Sequence, residues 1–311
     1  MLGIITYDCQ GNLSCKKTEK SFLPSKVMHF YIEHFRPYTI CETELLGAKG
    51  YHAKIHLSEE QLQKKELKGQ KIIEKMLKNL EELGVQIVVP PPKQGNIPTG
   101  ILPISNGKIV KGLYVMEAIT KFLTLQKKDL KDARIVLVDG GNVLTHLILD
   151  RVYPNVNFLS ILTDRQEDFE KKIQAIYEDC GLNVYLFSNG KNTAMAEADI
   201  ILNCGCEMEN YDYTIKPQAF YFDIAQNRRK LQRLMLRRDD IFIADGILLQ
   251  KEKKPYTDKE VEAAAYVSKN EFKTLVSSAY DLQEALSAKH SLDTQALKFL
   301  GFTCLEKRVR P

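Results

Sequence analysis

The residues best suited to chemistry in this sequence form a turn, Asp139-Gly-Gly-Asn-Val143, which follows an apolar run of strand type and precedes a helical pattern. Backbone N–H groups at the start of a helix attract anions, and a glycine-rich turn at such a place holds the diphosphate of a dinucleotide. The usual spacing G-x-G-x-x-G falls here on Asp139, Gly141 and Leu144, so only its second glycine is present. The predicted cofactor-binding residues of this turn are Gly140, Gly141, Asn142 and Val143.

Asp139 leaves two outcomes open for this turn. Its carboxylate either repels a diphosphate or turns away to cap the following helix. A weakened nucleotide site and a purely structural turn are therefore equal alternatives.

The segment Thr163-Asp164-Arg165 follows the next strand-type run, at the position where such sheets bind the ribose of a nucleotide. An acidic side chain there accepts the 2′-hydroxyl of NAD, whereas an arginine pairs with the 2′-phosphate of NADP. Both residue types are present, so NAD and NADP remain alternatives. Asp164 also suits the cap of a helix that begins near Gln166.

Further polar residues end the later strand-type runs, and ligands of open α/β sheets bind at these ends. Asn203 could donate a hydrogen bond to the ribose or to a substrate. Cys204 is a nucleophile only if a nearby cation lowers its pKa, and is otherwise a buried, inert thiol. Asp223 and Asp245, the latter followed by Gly246, could hold a substrate ammonium or act as a base, or could cap helices.

Lys108 and Lys111 begin a helical pattern that leads into this region. A lysine in a cleft could polarise a carbonyl group or transfer a proton, while a solvated surface lysine is the alternative. His146 lies inside the first helix after the turn and is interpreted as a packed or half-exposed residue. The predicted catalytic residues are Lys108, Lys111, Asn203 and Asp245.

The elements that must position these residues alternate regularly along the chain. Six β-rich runs alternate with helical patterns, which predicts an α/β fold with a doubly wound, mostly parallel sheet, a smaller N-terminal α/β domain and C-terminal helices. The predicted strands are 133–139, 157–162, 183–187, 199–204, 219–224 and 240–244. The predicted domains are 1–109 (substrate), 110–254 (NAD(P)-binding-like) and 255–311 (C-terminal helical segment, packing back on the other two).

Composition narrows the class of protein. The chain has 311 residues, 44% of them hydrophobic and 27% charged, with a formal charge of only +4, which gives no case for nucleic-acid binding. No apolar run approaches the roughly 20 residues that cross a bilayer. The seven scattered cysteines are an odd number, which predicts reduced thiols in the cytoplasm and no metal site.

A basic stretch, Arg228–Arg238, follows the fifth predicted strand. A solvated basic face is one interpretation. The other is a surface that attracts an acidic protein partner or nucleotide phosphates.

The order of these parts resembles the two-domain dehydrogenases of the shikimate, glutamyl-tRNA and methylene-tetrahydrofolate type. The sequence is more similar to long-chain fatty acyl carrier-protein reductases and related predicted amino-acid dehydrogenases. The similar segments are Leu45–Tyr51, Ala198–Asn203, Lys216–Asp223, Ile243–Leu249 and Gly301-Phe302.

This resemblance implies a Rossmann fold, NAD or NADP as cofactor, and hydride transfer to or from a small carbonyl or imine substrate. The nucleophilic cysteine of the acyl reductases has no counterpart in Val261–Tyr266, and the family's T-T-G-N segment is matched loosely by Ser105–Lys111. The alternative is a catalytically silent Rossmann protein that senses a nucleotide or metabolite, or binds another protein. A homo-oligomer is compatible with either function.

Overall fold

The computed structural model divides the chain into two compact units, Met1–Asn106 with Lys259–Lys269, and Gly107–Asp258 with Asn270–Pro311. The spacing of Ser58 and Gln61 predicts the start of a helix, but these residues, like Cys206, fall outside the residues that the structure describes. The described residues are 1–7, 37–57, 62, 66–91, 97–98, 100–188, 193–205, 214–277, 282–293 and 296–310.

The first unit contains a four-stranded sheet with the order β2-β3-β1-β4. In it β1 is parallel to β3 and β4, while β2 is antiparallel to β3. Apolar residues of α1 recur at helical spacing, and this side of the helix faces inward, since Ile73, Met76, Leu77 and Leu80 are buried. The smaller N-terminal α/β domain is therefore confirmed. Its elements are β1 (Leu2–Tyr7), β2 (Tyr38–Leu45), β3 (Ala48–Ile55), α1 (Glu66–Glu82) and β4 (Ile87–Val89).

The second unit begins with two helices, α2 (Lys108–Leu113) and α3 (Val115–Gln126). A single helix from about 110 to 124 was expected, but Tyr114 interrupts it with φ −103° and ψ 15°. Gly112 lets α2 approach a later helix closely, because a Cβ there would lie 2.7 Å from Cδ2 of Leu147.

A six-stranded parallel sheet forms the centre of the second unit, with the order β10-β9-β8-β5-β6-β7. In chain order this is 6-5-4-1-2-3, the doubly wound Rossmann arrangement. The predicted fold class is confirmed. Its elements are β5 (Arg134–Val138), α4 (Val143–Val152), β6 (Phe158–Leu162), α5 (Glu167–Cys180), β7 (Val184–Phe187), α6 (Thr193–Glu197), β8 (Ile200–Asn203), β9 (Phe220–Asp223), α7 (Arg228–Arg237) and β10 (Phe242–Ala244).

The central strands are buried on both faces, which explains their continuous apolar sequences. Residues 135–138 of β5 and all of β8 and β9 are buried. Helix α5 ends as predicted at Gly181, whose φ of +73° is left-handed. These local signals place the strand ends that carry the candidate residues.

The C-terminal region contains more than the predicted helices. A four-stranded antiparallel sheet with the order β12-β11-β13-β14 extends the second unit. The description of residues 255–311 as helical is therefore incomplete. The elements of this C-terminal region are β11 (Gly246–Lys251), β12 (Lys254–Thr257), α8 (Asp258–Ser268), α9 (Asn270–Ser277), α10 (Leu282–Asp293), β13 (Lys298–Cys304) and β14 (Lys307–Val309). All of α8 except Asp258 belongs to the first unit.

Aromatic packing joins this antiparallel sheet to the parallel one. Phe220 of β9 stacks on Phe122 of α3 with centroids 4.9 Å apart, and meets Phe302 of β13 edge to face at 5.3 Å. Such pairs prefer these geometries, which fix β13 against the β9 and β10 half of the parallel sheet.

Across the described ranges, no helix combines the length and apolarity needed to cross a bilayer. The same residues include no group of three metal-ligating side chains that could hold an ion.

Candidate functional site

The candidate residues of the second unit gather at the carboxyl edge of the parallel sheet. The order of strands reverses between β5 and β8, which is where ligands bind in open α/β sheets. The turn after β5 and the segments after β6, β8, β9 and β10 all meet this edge.

Two glycines shape the turn between β5 and α4. A Cβ on Gly140 would lie 2.0 Å from the carbonyl oxygen of Cys204, so only glycine permits the two strand ends to approach this closely. Gly141 has φ +67°, a left-handed conformation that favours glycine.

Side chains already accept several N–H groups of this turn. Gly140 donates to Thr145 Oγ1 at 3.0 Å, Gly141 to Asp139 Oδ1 at 2.8 Å, and Leu144 to Asn142 Oδ1 at 3.0 Å. Thr145 was not predicted, although a hydroxyl in the first helical turn is a familiar capping group.

Two N–H groups of the turn remain for an anion. Among the described residues, the backbone N–H groups of Asn142 and Val143 have no acceptor, as expected of the N-cap and first residue of α4. They lie at the positive end of a ten-residue helix.

Asp139 directs its carboxylate into the turn. Its Oδ2 accepts from Thr163 Oγ1 at 2.8 Å and from Arg165 Nη2 at 2.7 Å, and its side chain is only 5% exposed. Burial opposes ionisation, but hydrogen bonds from Arg165, Gly141 and Thr163 outweigh it and hold the pKa of Asp139 below its ordinary value. The carboxylate therefore caps the turn rather than α4, whose N-cap is Asn142.

Arg165 lies over the same turn. A Cβ on Gly141 would be 3.4 Å from Cζ of Arg165. Its Nη1 is 3.3 Å from the Asp168 carboxylate, and its side chain is 46% exposed. Thr163 is buried and accepts the Arg165 N–H, while Asp164 is exposed. The structure thus brings Arg165 together with the turn after β5.

Buried hydrogen bonds join the ends of β8 and β9. Asn203 donates through Nδ2 to Asp223 Oδ1 at 2.6 Å, and its carbonyl accepts the N–H groups of Ile224 and Ala225. Asp223 also accepts the N–H of Asn227 at 2.8 Å, but Asn227 is itself the N-cap of α7, so Asp223 holds the turn before the helix rather than capping the helix. Burial raises the pKa of Asp223.

Cys204 does not meet the condition for a nucleophile. The thiol is buried, and burial followed by the charges of Asp139 and Asp223 raises its pKa strongly. A thiolate at neutral pH is therefore disfavoured.

Lys111 is fully buried, so its interpretation as a solvated surface lysine is wrong. Its Nζ donates to the carbonyl oxygens of Asp245 at 2.9 Å and Ile224 at 3.3 Å, and lies 4.0 Å from the Asp258 carboxylate. Burial lowers the pKa of Lys111, while Asp258, Asp245 and Asp223 oppose that shift. Asp258 was not predicted as a site residue. The sequence indicates that a helix begins there, but it does not indicate that Asp258 faces Lys111.

Lys108 is half-buried and lies near both Cys204 and Lys111, since its charge lowers the pKa of each of these groups.

The two residues after β10 make structural contacts. The Asp245 carboxylate accepts the N–H of Leu305 at 3.1 Å and 3.2 Å. A Cβ on Gly246 would lie 2.4 Å from Thr303 Oγ1 of the paired strand β13. His146 is half-buried and stacks on Phe169 with centroids 5.4 Å apart, which confirms that it is packed.

The basic stretch 228–238 is only partly solvated. Arg228 and Arg229 are exposed, as expected, but Lys230 is buried with Nζ 6.0 Å from the centre of the Tyr221 ring. Leu236 is 87% exposed on the same helix.

No protein-family model matches the sequence, and a comparison with curated proteins finds no match either. Among solved structures, L-tryptophan dehydrogenase from Nostoc punctiforme is 13% identical over 94% of this chain and 79% of its own, with a TM-score of 0.38. Shikimate 5-dehydrogenase from Listeria monocytogenes, solved with shikimate and NAD, is 11% identical over 94% and 95% of the two chains, with a TM-score of 0.36.

Δ1-Pyrroline-2-carboxylate reductase from Thermococcus litoralis, solved with NADH and L-proline, is 14% identical with a TM-score of 0.28. The match covers 41% of this chain and 40% of that protein. At such identities and TM-scores these neighbours assign neither a residue nor an activity to this chain.

Proposed function

We propose that the protein is an NAD(P)-dependent oxidoreductase whose dinucleotide binds at the carboxyl edge of the parallel sheet. The observation that carries this proposal is the turn after β5. It stands at the reversal of strand order, begins α4, and keeps the N–H groups of Asn142 and Val143 available to a phosphate among the described residues.

The residues present fit a dinucleotide in part. Gly141 carries no side chain, and Asn142 and Val143 would donate to the diphosphate. The other residues proposed to contact the cofactor are Gly140, Thr163, Asp164, Arg165, Asn203, Cys204 and Gly246. When bound, the nicotinamide supplies or accepts the hydride exchanged with a small carbonyl or imine substrate.

We assign to Lys108 the transfer of the proton that accompanies hydride transfer. Lys111 directs its ammonium group to two backbone carbonyls, so its protons already have acceptors. Lys108 lies close to the same edge and is half-buried. Asn203 and Asp245, which follow β8 and β10 at this edge, are proposed to orient the substrate end.

Titration with NADH and NADPH, followed by nucleotide fluorescence and calorimetry, tests the proposal. Gly141→Val should weaken binding at least tenfold, because a β-branched side chain strains a φ of +67° and enters the turn. Gly181→Val is the matched control, since Gly181 has φ +73°, open space around it and a position at the far end of α5. Absence of binding of either nucleotide to the wild-type protein at millimolar concentration contradicts the proposal.

A catalytically silent nucleotide or metabolite sensor is the second candidate. The engagement of Asp139, Asn203 and Lys111 in internal hydrogen bonds favours it. This candidate predicts that the nucleotide binds but that NAD(P)H is not consumed with any member of a panel of small carbonyl and imine compounds. Oxidation of NADPH with one of them excludes it.

We also propose that α7 binds an acidic protein partner in the cytoplasm. Exposed Arg228 and Arg229 combine with exposed Leu236, and arginine with apolar side chains is typical of interface centres. Cys41 and Cys180 are free and exposed, which is compatible with a reducing compartment. Reversing both arginines to glutamate should abolish a salt-sensitive pull-down interaction, whereas Lys251→Glu, on β11, should not.

A further inference from the structure

The turn after β5 already holds an anion of its own. The Asp139 carboxylate accepts from the N–H of Gly141, the hydroxyl of Thr163 and the guanidinium of Arg165, at 2.7–2.8 Å. These are the kinds of donors that bind a phosphate oxygen in proteins. Asp139 therefore occupies the place and the donors of a phosphate group.

A second anion that binds at this turn is repelled by that carboxylate. Like charges at hydrogen-bond distance repel strongly, and the repulsion is larger where the groups are shielded from water. With only 5% of its side chain exposed, Asp139 is poorly screened by solvent.

Arg165 balances the charge of Asp139 and remains accessible from outside. One nitrogen pairs with Asp139, and the other is 3.3 Å from Asp168, a pair that is about half exposed on both sides. Exposed ion pairs contribute little, so that second nitrogen can be given to an incoming phosphate while the first still neutralises Asp139.

We propose that Asp139 and Arg165 together determine the affinity of this turn for a diphosphate. The carboxylate of Asp139 competes with the diphosphate for the donors of the turn. Arg165, which that carboxylate holds in place, offsets this competition. The proposal rests on the function proposed above and names the residues that set its cofactor affinity. The affinity of the turn for a diphosphate thus depends on the summed charge of Asp139 and Arg165, which is zero in the wild-type protein.

Four proteins test this inference: the wild type, Asp139→Asn, Arg165→Gln and the double variant. Their pair charges are 0, +1, −1 and 0. We expect Asp139→Asn to bind both NADH and NADPH at least tenfold more tightly and Arg165→Gln to bind both at least tenfold more weakly. NADH has no 2′-phosphate, so its response reports on the diphosphate alone. For NADH the double variant should lie within about threefold of wild type, since coupled residues are non-additive. Glu170→Gln, at an exposed acidic residue of the same helix α5, is the control for general surface charge and should change affinity by less than about threefold.

If the role of Asp139 is purely structural, Asp139→Asn should bind nucleotides more weakly than wild type, because loss of its charge destabilises the turn and weakens the binding of every ligand there. Weaker or unchanged NADPH binding by folded Asp139→Asn overturns the inference. If Asp139→Asn fails to fold, the test rests on Arg165→Gln, which changes an exposed residue. A nucleotide affinity of Arg165→Gln equal to that of the wild type then overturns the proposal.

Inorganic pyrophosphate, titrated against the same four proteins, separates this inference from the proposed oxidoreductase function. If pyrophosphate follows the predicted order while neither NADH nor NADPH binds, the charge mechanism stands and the oxidoreductase proposal fails. If NADPH binds all four proteins equally, the oxidoreductase proposal stands and the charge mechanism fails.

Discussion

Lys111 and Lys108 are separated by one helical turn of sequence but differ in their surroundings. The buried ammonium group of Lys111 satisfies the carbonyl groups that follow β9 and β10, and it lies near the carboxylate of Asp258. Removing one member of a buried polar group leaves the others desolvated without compensation. The two lysines therefore allow a structural role and a chemical role to be separated by experiment.

Lys111→Met should lower the free energy of unfolding by about 2–4 kcal/mol, because the methionine fills the space but cannot donate to Asp245 or Ile224. Urea denaturation measures the loss. A stability equal to that of the wild type contradicts the structural role of Lys111.

Lys108→Met should behave differently. The residue is half-buried, so we expect a loss of less than about 1 kcal/mol in stability. Nucleotide binding should persist while turnover with an accepted substrate falls by a factor of about 10² or more, as for a lost general acid. Unchanged turnover removes Lys108 from the proposed chemistry.

At the scale of elements, the turn after β5 and the end of β8 meet backbone to backbone. Gly140 has no room for a Cβ, because the Cys204 carbonyl is in the way, and Gly205 in turn approaches the carbonyl of Asp139. This contact brings two strand ends together at the reversal of strand order. It also explains a glycine that the dinucleotide spacing does not require.

Gly140→Ala should therefore destabilise the protein by about 1–3 kcal/mol, since a backbone atom must move to admit the methyl group. Gly100→Ala is the matched control, because nothing lies within 4 Å of the Cβ it would add. Urea midpoints compare the two. Equal effects of both substitutions contradict the close contact at Gly140.

Part of this organisation could be predicted from local sequence. Strands β5, β8 and β9 are mostly apolar because both faces are buried, and Gly181 marks the end of α5 by its left-handed conformation. Such signals lie within a few residues of the feature that they predict.

The partners within the site could not be predicted in the same way. Lys111 donates to a carbonyl 134 residues further along the chain, and Arg165 reaches Asp139 across 26 residues. A polar side chain in the sequence does not reveal whether it faces water or a buried acceptor. The antiparallel sheet of β11 to β14 was not predicted, and its outer strands β12 and β14 have only four and three residues and no buried position.

At the scale of the whole molecule, ion pairs around the buried Asp199 support the edge of the sheet opposite the candidate site. Asp199, at the start of β8, accepts the N–H of Arg134 at 2.9 Å and pairs with Lys128 at 2.7 Å and with Lys216. Burial opposes ionisation of Asp199, but these donors outweigh it, so its pKa lies below the ordinary value.

A lowered pKa in the folded state makes stability depend on pH in a defined direction. The contribution of Asp199 is fully present above the unfolded pKa of about 3.9 and is lost as the pH falls through the lower folded value. Asp199→Asn should therefore cost about 1–2 kcal/mol at pH 7 and progressively less below about pH 4. Denaturation at several pH values measures this difference.

Asp240→Asn is the control for that experiment. Asp240 pairs with Arg238 at 2.7 Å and its pKa is also lowered, but its carboxylate is 38% exposed, against 9% for Asp199, and should contribute less than about 0.5 kcal/mol. A constant effect of Asp199→Asn from pH 3 to pH 7 contradicts the role assigned to its charge.

The carboxylate within the turn after β5 has a consequence for the history of this protein as well. Codons for aspartate and glycine differ by a single base, so one point mutation at position 139 would restore the first glycine of the dinucleotide spacing. A single base change at this position would then raise or lower cofactor affinity, and selection could act on either change. A library of random variants, selected for nucleotide retention, should return position 139 repeatedly.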